Sequence, residues 1–409
     1  MRMRDRVLTG AACVALAALL TACGTTAATT TTITGTTLTI YSSLPLQGPS
    51  PENLEAQDVS DAERLALQQA GGKVGRYTID FVSLNDATSA GWSPKLIAAN
   101  ARTVIQRADA AAYIGEIDQN ASAQSIPITN ADQLLEVSPY DTAIGLTEAT
   151  PAVAGSPNIF YQSLSTNGQT FGRVVPNDTY QAKAQLQVMK SVGVKKLFIV
   201  DDGGGYGDAI ALAVEQDASA DGITALAPQS SSAGLSQKIA ASGADAIFYG
   251  GVASAAAVQL FNGAIGADPH LKLFGPGGLY ATSFASGLSP AAQHATYLSE
   301  PGETTNELPS AGKQFLAAFK AAYHHVPWTQ AIFGYAAMQA VLSALRGSDH
   351  GADANNRGDV VSDFLATRKQ SSALGTYSID KSGDTSLAPY IFSRVKRGKL
   401  VVFKGLIVP

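Results

Sequence analysis

From Leu38 onward, short β-prone runs alternate with helical ones in two successive series, and this order restricts the fold more than any other property of the sequence. In the first series, residues 38–41, 77–82 and 111–115 are expected strands. Helices are expected over 62–70, stopped by Gly71-Gly72, and over 94–108. The second series repeats the logic, with strands at 196–201, 246–250 and 271–275 and helices at 208–220 and 254–264. Strands alternating with helices imply a parallel sheet covered on both faces. Two such series, parted by the loop-rich stretch 145–172, predict two α/β lobes. The tail departs from this order. Residues 310–346 are almost continuously helical, with a break at Val326-Pro327, and 377–408 turn β-rich around Lys381-Ser382-Gly383-Asp384. A chain that crosses back between lobes would give discontinuous domains and a hinge.

The N-terminus carries Arg2, Arg4 and Arg6, then an apolar run over 7–20, then Leu20-Thr21-Ala22-Cys23. Charge, short apolar core and small residues in that order read as a signal peptide over 1–22. The Cys directly after the cut resembles the lipobox of bacterial lipoproteins, which implies lipidation of Cys23 and an anchor on the outer face of the cell membrane. The chain has two cysteines, and Cys13 would leave with the signal. A mature protein holding only Cys23 has no disulfide, so folding must rest on burial, for which a 45% hydrophobic content over 409 residues is ample. Residues 24–37 are nearly all Thr, Ala and Gly and read as a tether. The net charge of −5 offers no concentrated basic surface to replace phosphate counterions, which argues against a nucleic-acid partner.

In open parallel sheets, ligands sit beyond the carboxyl ends of the strands, where helix N-termini present free N–H groups. That directs attention to the loops 115–125, 138–142, 201–207, 250–254 and 275–280. Enzyme templates do not fit them. The five histidines include no H-E-x-x-H pair and no G-x-S-x-G elbow is present, so neither a catalytic site nor a metal is expected. His324-His325 stands at a helix exit, where cations complement the dipole. Asp201-Asp202-Gly203-Gly204-Gly205-Tyr206-Gly207 has glycines after a strand but surrounds them with acids and lacks a Gly at 208, so it does not suit a phosphate. It is either a tight strand-to-helix turn or a loop whose backbone nears a ligand while Tyr206 projects into a cleft. Ser138-Pro139-Tyr140-Asp141-Thr142 is either a surface turn or a carboxylate cradle. Held by hydroxyls and N–H groups, a carboxylate gains about 1.5–3 kcal/mol per charge-assisted bond without any Arg.

Taken together, several segments resemble the branched-chain amino-acid type of periplasmic binding protein. They are Leu44-Pro45-Leu46-Gln47-Gly48-Pro49, Ala70-Gly71-Gly72-Lys73-Val74, Tyr113-Ile114-Gly115-Glu116, Ser125-Ile126-Pro127-Ile128, Val137-Ser138-Pro139, Tyr206-Gly207-Asp208, Tyr249-Gly250-Gly251, Phe274-Gly275-Pro276-Gly277-Gly278 and Gly334-Tyr335-Ala336-Ala337, in the family's order over nearly the whole mature chain. The resemblance implies two Rossmann-like lobes with parallel sheets joined by a three-crossover hinge, the type I fold. It places the crossings near Tyr161, Tyr297 and Gly375, giving one lobe from 38–161 plus 297–375 and another from 162–296 plus 376–409. It also implies a monomer that needs no cofactor, captures a small polar or amphiphilic solute such as an amino acid, and delivers it to an ABC permease and its ATPase. A ligand-sensing module of a membrane receptor is the alternative use of the same fold. Gln119, Tyr140, Thr142 and Tyr206 match the family's ligand contacts by position. The acid that often binds an α-ammonium is replaced by Gly277, leaving Asp118 and Asp141 as candidate substitutes, since an unpaired ammonium in a closed cleft is costly.

Overall fold

In a computed structural model describing residues 32–409 except 231, 233 and 348–355, two sheets organise the chain. The first comprises β1 (Thr37–Leu44), β2 (Lys73–Val74), β3 (Tyr77–Asn85), β4 (Ala110–Ile114), β5 (Glu136–Ser138) and β6 (Phe171–Arg173), in the order β2-β3-β1-β4-β5-β6. All neighbours are parallel except β2. The second comprises β7 (Lys196–Asp201), β8 (Thr224–Ser230), β9 (Ala246–Gly250), β10 (Lys272–Gly275), β11 (Thr296–Pro301), β12 (Pro389–Lys396) and β13 (Lys399–Ile407), in the order β8-β7-β9-β10-β11-β12-β13. Here β7 to β11 run parallel and the last two strands are antiparallel. Central strands such as β1 and β9 are buried on both faces, which is why they read as continuous apolar runs without alternation.

Helices cover both sheets. On the first lie α1 (Glu52–Gln69) and α2 (Pro94–Ile105), while α3 (Asp178–Ser191), α4 (Gly205–Ala218) and α5 (Ala255–Ala267) cover the second. The tail helices α6 (Ser310–Tyr323), α7 (Ala331–Gly347) and α8 (Arg357–Leu365) return to the first lobe and share its core. α1 stops where Gly71 and Gly72 take positive φ and the Gly72 N–H reaches back to the Leu67 carbonyl. α7 packs closely on α1 because Gly334 has no side chain: a Cβ there would lie 2.7 Å from Val59 Cγ1. The two α/β lobes that the alternation of elements predicts are thus present, in the arrangement that the resemblance implies.

The crossings fall at other residues than expected. Phe171–Arg173 still pairs with the first sheet, so the chain leaves that lobe after 173 and not at Tyr161. Tyr297 lies inside β11 of the second sheet, and the return follows Pro301. Tyr377 and Ile379 are still in the first lobe's core, so the third crossing lies beyond Gly375, before β12. In the first two cases the chain completes a strand, satisfying its backbone pairing, before it crosses. The tether also ends earlier than composition suggests. Ile33 is 2% exposed in the first core and the Thr34 N–H bonds the Ala108 carbonyl. One apolar residue in a Thr-rich run is enough to dock it. The signal peptide and Cys23 lie outside the described residues.

The first and third crossings meet at Arg173, which is fully buried. Its Nε donates to Asp384 Oδ1 (2.6 Å), its Nη1 to the carbonyls of Asp141 (3.0 Å) and Ala143 (2.9 Å), and its Nη2 to Thr147 Oγ1. Thr147 and Asn177 in turn donate to Asp384 Oδ2. The two segments touch through backbone as well. Gly383 takes φ +87°, its carbonyl accepts from the Arg173 N–H (2.9 Å), and a Cβ on it would lie 2.3 Å from the Phe171 carbonyl oxygen.

Candidate ligand-binding cleft

The carboxyl ends of the two parallel sheets face each other across a cavity of about 570 Å³, a volume ordinary for a small-molecule site. From the first lobe it is lined by the turn after β1 (Pro45, Pro49, Ser50, Pro51), the first turn of α1 (Glu52, Glu55), Trp92, the loop after β4 (Ile117, Asp118, Gln119), Tyr140 and Gln330. From the second come Val252 and Ala253 after β9, Gly277, Gly278, Tyr280, Ala281 and Ser283 after β10, and Glu300 near the end of β11.

Of the residues expected at the site, Gln119, Tyr140, Asp118 and Gly277 line this cavity. Tyr140 is 5% exposed, packs edge-on against Phe333, donates its hydroxyl to the Pro301 carbonyl (2.8 Å) and lies 3.2 Å from Glu300 Oε2. It therefore ties the first lobe to the second at the cavity wall. Gln119 Oε1 accepts from the Thr142 hydroxyl (2.6 Å). An added Cβ at Gly277 would meet only ordinary contacts, the nearest 3.7 Å away, so the backbone leaves room for the missing side chain.

Three expected contacts stand outside the cavity lining. Asp141 is fully buried, with Oδ1 accepting the N–H groups of Asn120 (2.8 Å) and Ala143 (3.2 Å) and Oδ2 that of Ser122 (2.9 Å). Its carboxylate locks the loop after β4 to the loop after β5 and is closed off from the cavity. Thr142 is 1% exposed and bridges Gln119 to Asp178 Oδ2 (2.9 Å) at the start of α3. Burial pushes the Asp178 carboxyl well above the usual range, and the hydrogen bond from the Thr142 hydroxyl works in the opposite direction. Tyr206, 6% exposed, packs among Ile126, Ala143, Leu146, Tyr161 and Phe171 and accepts the Gly278 N–H (3.0 Å). It holds the loop after β10 in place from behind. Tyr206→Phe is expected to lower stability by about 1 kcal/mol, the net worth of one neutral hydrogen bond, read as a small shift of the thermal midpoint.

The sequence reading passed over Glu52, Glu55, Trp92, Tyr280 and Glu300. Glu52 and Glu55 have a signal: three residues apart behind Ser50-Pro51, they share one face of the first turn of α1. Glu300 has none, since it reads as a strand-end acid. Burial raises the Glu55 carboxyl to about 7, with help from Glu52 and Asp58. Burial and then the negative charges of Asp86 and Glu52 push Asp118 well above its ordinary value. Glu300, 2% exposed, is also pushed well above it, first by burial and then by Glu55.

A periplasmic binding protein family model matches residues 37–399. No curated protein matches the sequence. Among solved structures, an ABC transporter substrate-binding protein from Desulfitobacterium hafniense in complex with Leu is similar at 19% identity and a TM-score of 0.70, over 90% of this chain and 100% of that one. A leucine-binding protein from Thermotoga maritima is similar at 17% identity and 0.70, over 90% and 98%. A solute-binding protein from R. palustris in complex with benzoate is similar at 18% identity and 0.66, over 90% and 96%. With the family match spanning most of the sequence and a cavity enclosed by both lobes, the chain belongs to the periplasmic binding protein family, whose members bind solutes and are not enzymes.

Proposed function

We propose that this protein captures a small solute in the interlobe cleft outside the cytoplasm and presents it to an ABC import permease, tethered to the membrane by a lipidated Cys23. The observation that carries the reading is the cavity itself, built from the strand ends of both lobes, which three linking segments join. Solute would bind one lobe first, and rotation about the segments after Arg173, Pro301 and Ile379 would add contacts from the other. The similar structures in complex with Leu and with benzoate support amino acids and related small acids as starting probes.

Small-angle scattering of the purified protein with and without a solute that raises its thermal midpoint is the test. A smaller radius of gyration with solute is expected, and an unchanged radius together with an unchanged midpoint across amino acids, amines and aromatic acids would remove the capture role. Cys23→Ser is expected to move the protein from the membrane fraction into the soluble extracytoplasmic fraction, as followed by immunoblot. Equal membrane retention of both forms would refute the anchor.

A further inference from the structure

Four carboxyl groups, those of Glu52, Glu55, Asp118 and Glu300, line the cleft, and no Lys, Arg or His lines it with them. Among the described residues none of the four belongs to an ion pair. Acids in the first turn of α1 also complement the helix dipole, which accounts for Glu52 and Glu55 in part. Glu300 has no such reason. It stands near a strand end, 2% exposed, faces the cavity, and has the hydroxyls of Tyr140 and Tyr280 but no cation beside it. A carboxylate taken out of water without a counterion is costly, so a site that keeps one facing an enclosed space is built for the charge that will pair with it.

The backbone donors of the second lobe's loops, which would hold an anion, are already used, as is the Thr142 hydroxyl. The Thr142 hydroxyl goes to Gln119, the Gly277 and Gly278 N–H groups to Gln181 and Tyr206, and those of Val252 and Ala253 to Asp202 and the Gly278 carbonyl. Nor is the cation a bare metal: among the described residues no three acids, histidines or cysteines converge as metal ligands. Carboxyls spread around about 570 Å³, with Trp92, Tyr140 and Tyr280 between them, suit a multi-atom guest instead. Aromatic faces attract organic ammonium groups by several tenths of a kcal/mol to about 2 kcal/mol.

Resting on the cleft being the solute site, we infer that the solute is a small organic ammonium cation without a net negative charge, its ammonium paired with Glu300 across from Glu55 and Asp118. Where the carboxyls are neutral in the empty cleft, the cation binds as they ionise. Capture then releases protons, and affinity rises with pH through the range around 7 where Glu55 titrates. The groups facing that titration are Glu52 and Asp58 on the same helix, Asp118 and Tyr140 from the first lobe, and Tyr280 and Glu300 from the second.

Calorimetry on the full chain decides the matter, with putrescine, agmatine and choline as cations and leucine and benzoate as comparators. At least one cation is expected to bind, more tightly at about pH 8 than at about pH 6, with affinity reduced roughly tenfold or more by Glu300→Gln. Glu55→Gln, on a less buried side chain, gives the same readout if Glu300→Gln does not fold. Leucine or benzoate binding that both variants leave unchanged would overturn the cation inference while keeping solute capture intact. Silence from all three cations would overturn it too, and silence from all five probes with no change in thermal midpoint would count against capture itself.

Discussion

Arg173→Met is expected to lower the thermal midpoint by roughly 4–6 °C, because truncating one partner of a buried pair costs about 3–5 kcal/mol. The loss follows from what Arg173 leaves behind. Asp384, 5% exposed, keeps its contacts to Thr147 and Asn177 but loses its cation, and the carbonyls of Asp141 and Ala143 lose their donor. A methionine fills the volume without restoring any of these bonds. Burial works against the charged guanidinium, yet Asp384 and the neighbouring acids more than offset it, so Arg173 stays charged in the fold. Differential scanning calorimetry of Arg173→Met and Asp384→Ala checks this. Midpoints within about 2 °C of the parent would show that the cluster contributes little.

Stability is also expected to rise as pH falls from about 8 to about 5, opposite to the usual behaviour of a protein rich in ion-paired carboxylates. The reason is a set of carboxyls whose folded-state values lie above their unfolded ones. Burial raises Glu136 to about 8 even though Ser125 and Thr129 donate to it. Glu63 is fully buried with neither oxygen hydrogen-bonded, and burial pushes it well above the carboxylate range, as it does Glu116 and Asp178. A group with a raised folded value holds its proton when folded and releases it on unfolding. Its contribution is complete below the ordinary carboxyl value near 4.5 and is lost as pH climbs through the folded value. For Glu136 that window runs from 4.5 to about 8, and each pH unit within it costs about 1.4 kcal/mol. Melting curves across the window should show a midpoint highest at the acidic end, and Glu63→Met should flatten the slope while raising the midpoint at neutral pH. A midpoint that climbs toward pH 8 would contradict the assignment.

Much of this fold is legible in the primary structure because its central strands are buried on both faces and read as apolar runs. Residues 196–201 and 246–250 are read to the residue for that reason. Strand Thr224–Ser230, at the sheet edge and mostly exposed, has no apolar run to betray it. The loops of the site were also readable, since they follow strands, but the roles within them were not. Thr142 looks like a ligand donor until Asp178, which the fold brings in from the other lobe, occupies its hydroxyl. Asp141 looks like a free acid until three backbone N–H groups close on it. The acidic lining depends on Glu52 and Glu300 meeting across two sheets, and no local pattern encodes that encounter.

The backbone contact between Gly383 and the Phe171–Arg173 strand has a mechanical consequence. Two of the three ropes joining the halves are spliced where they pass, so one cannot slip along the other without breaking the splice. What remains is torsion about that knot, and a bulkier residue at position 172 or 383 would seize the bearing while leaving the guest's own contacts in place.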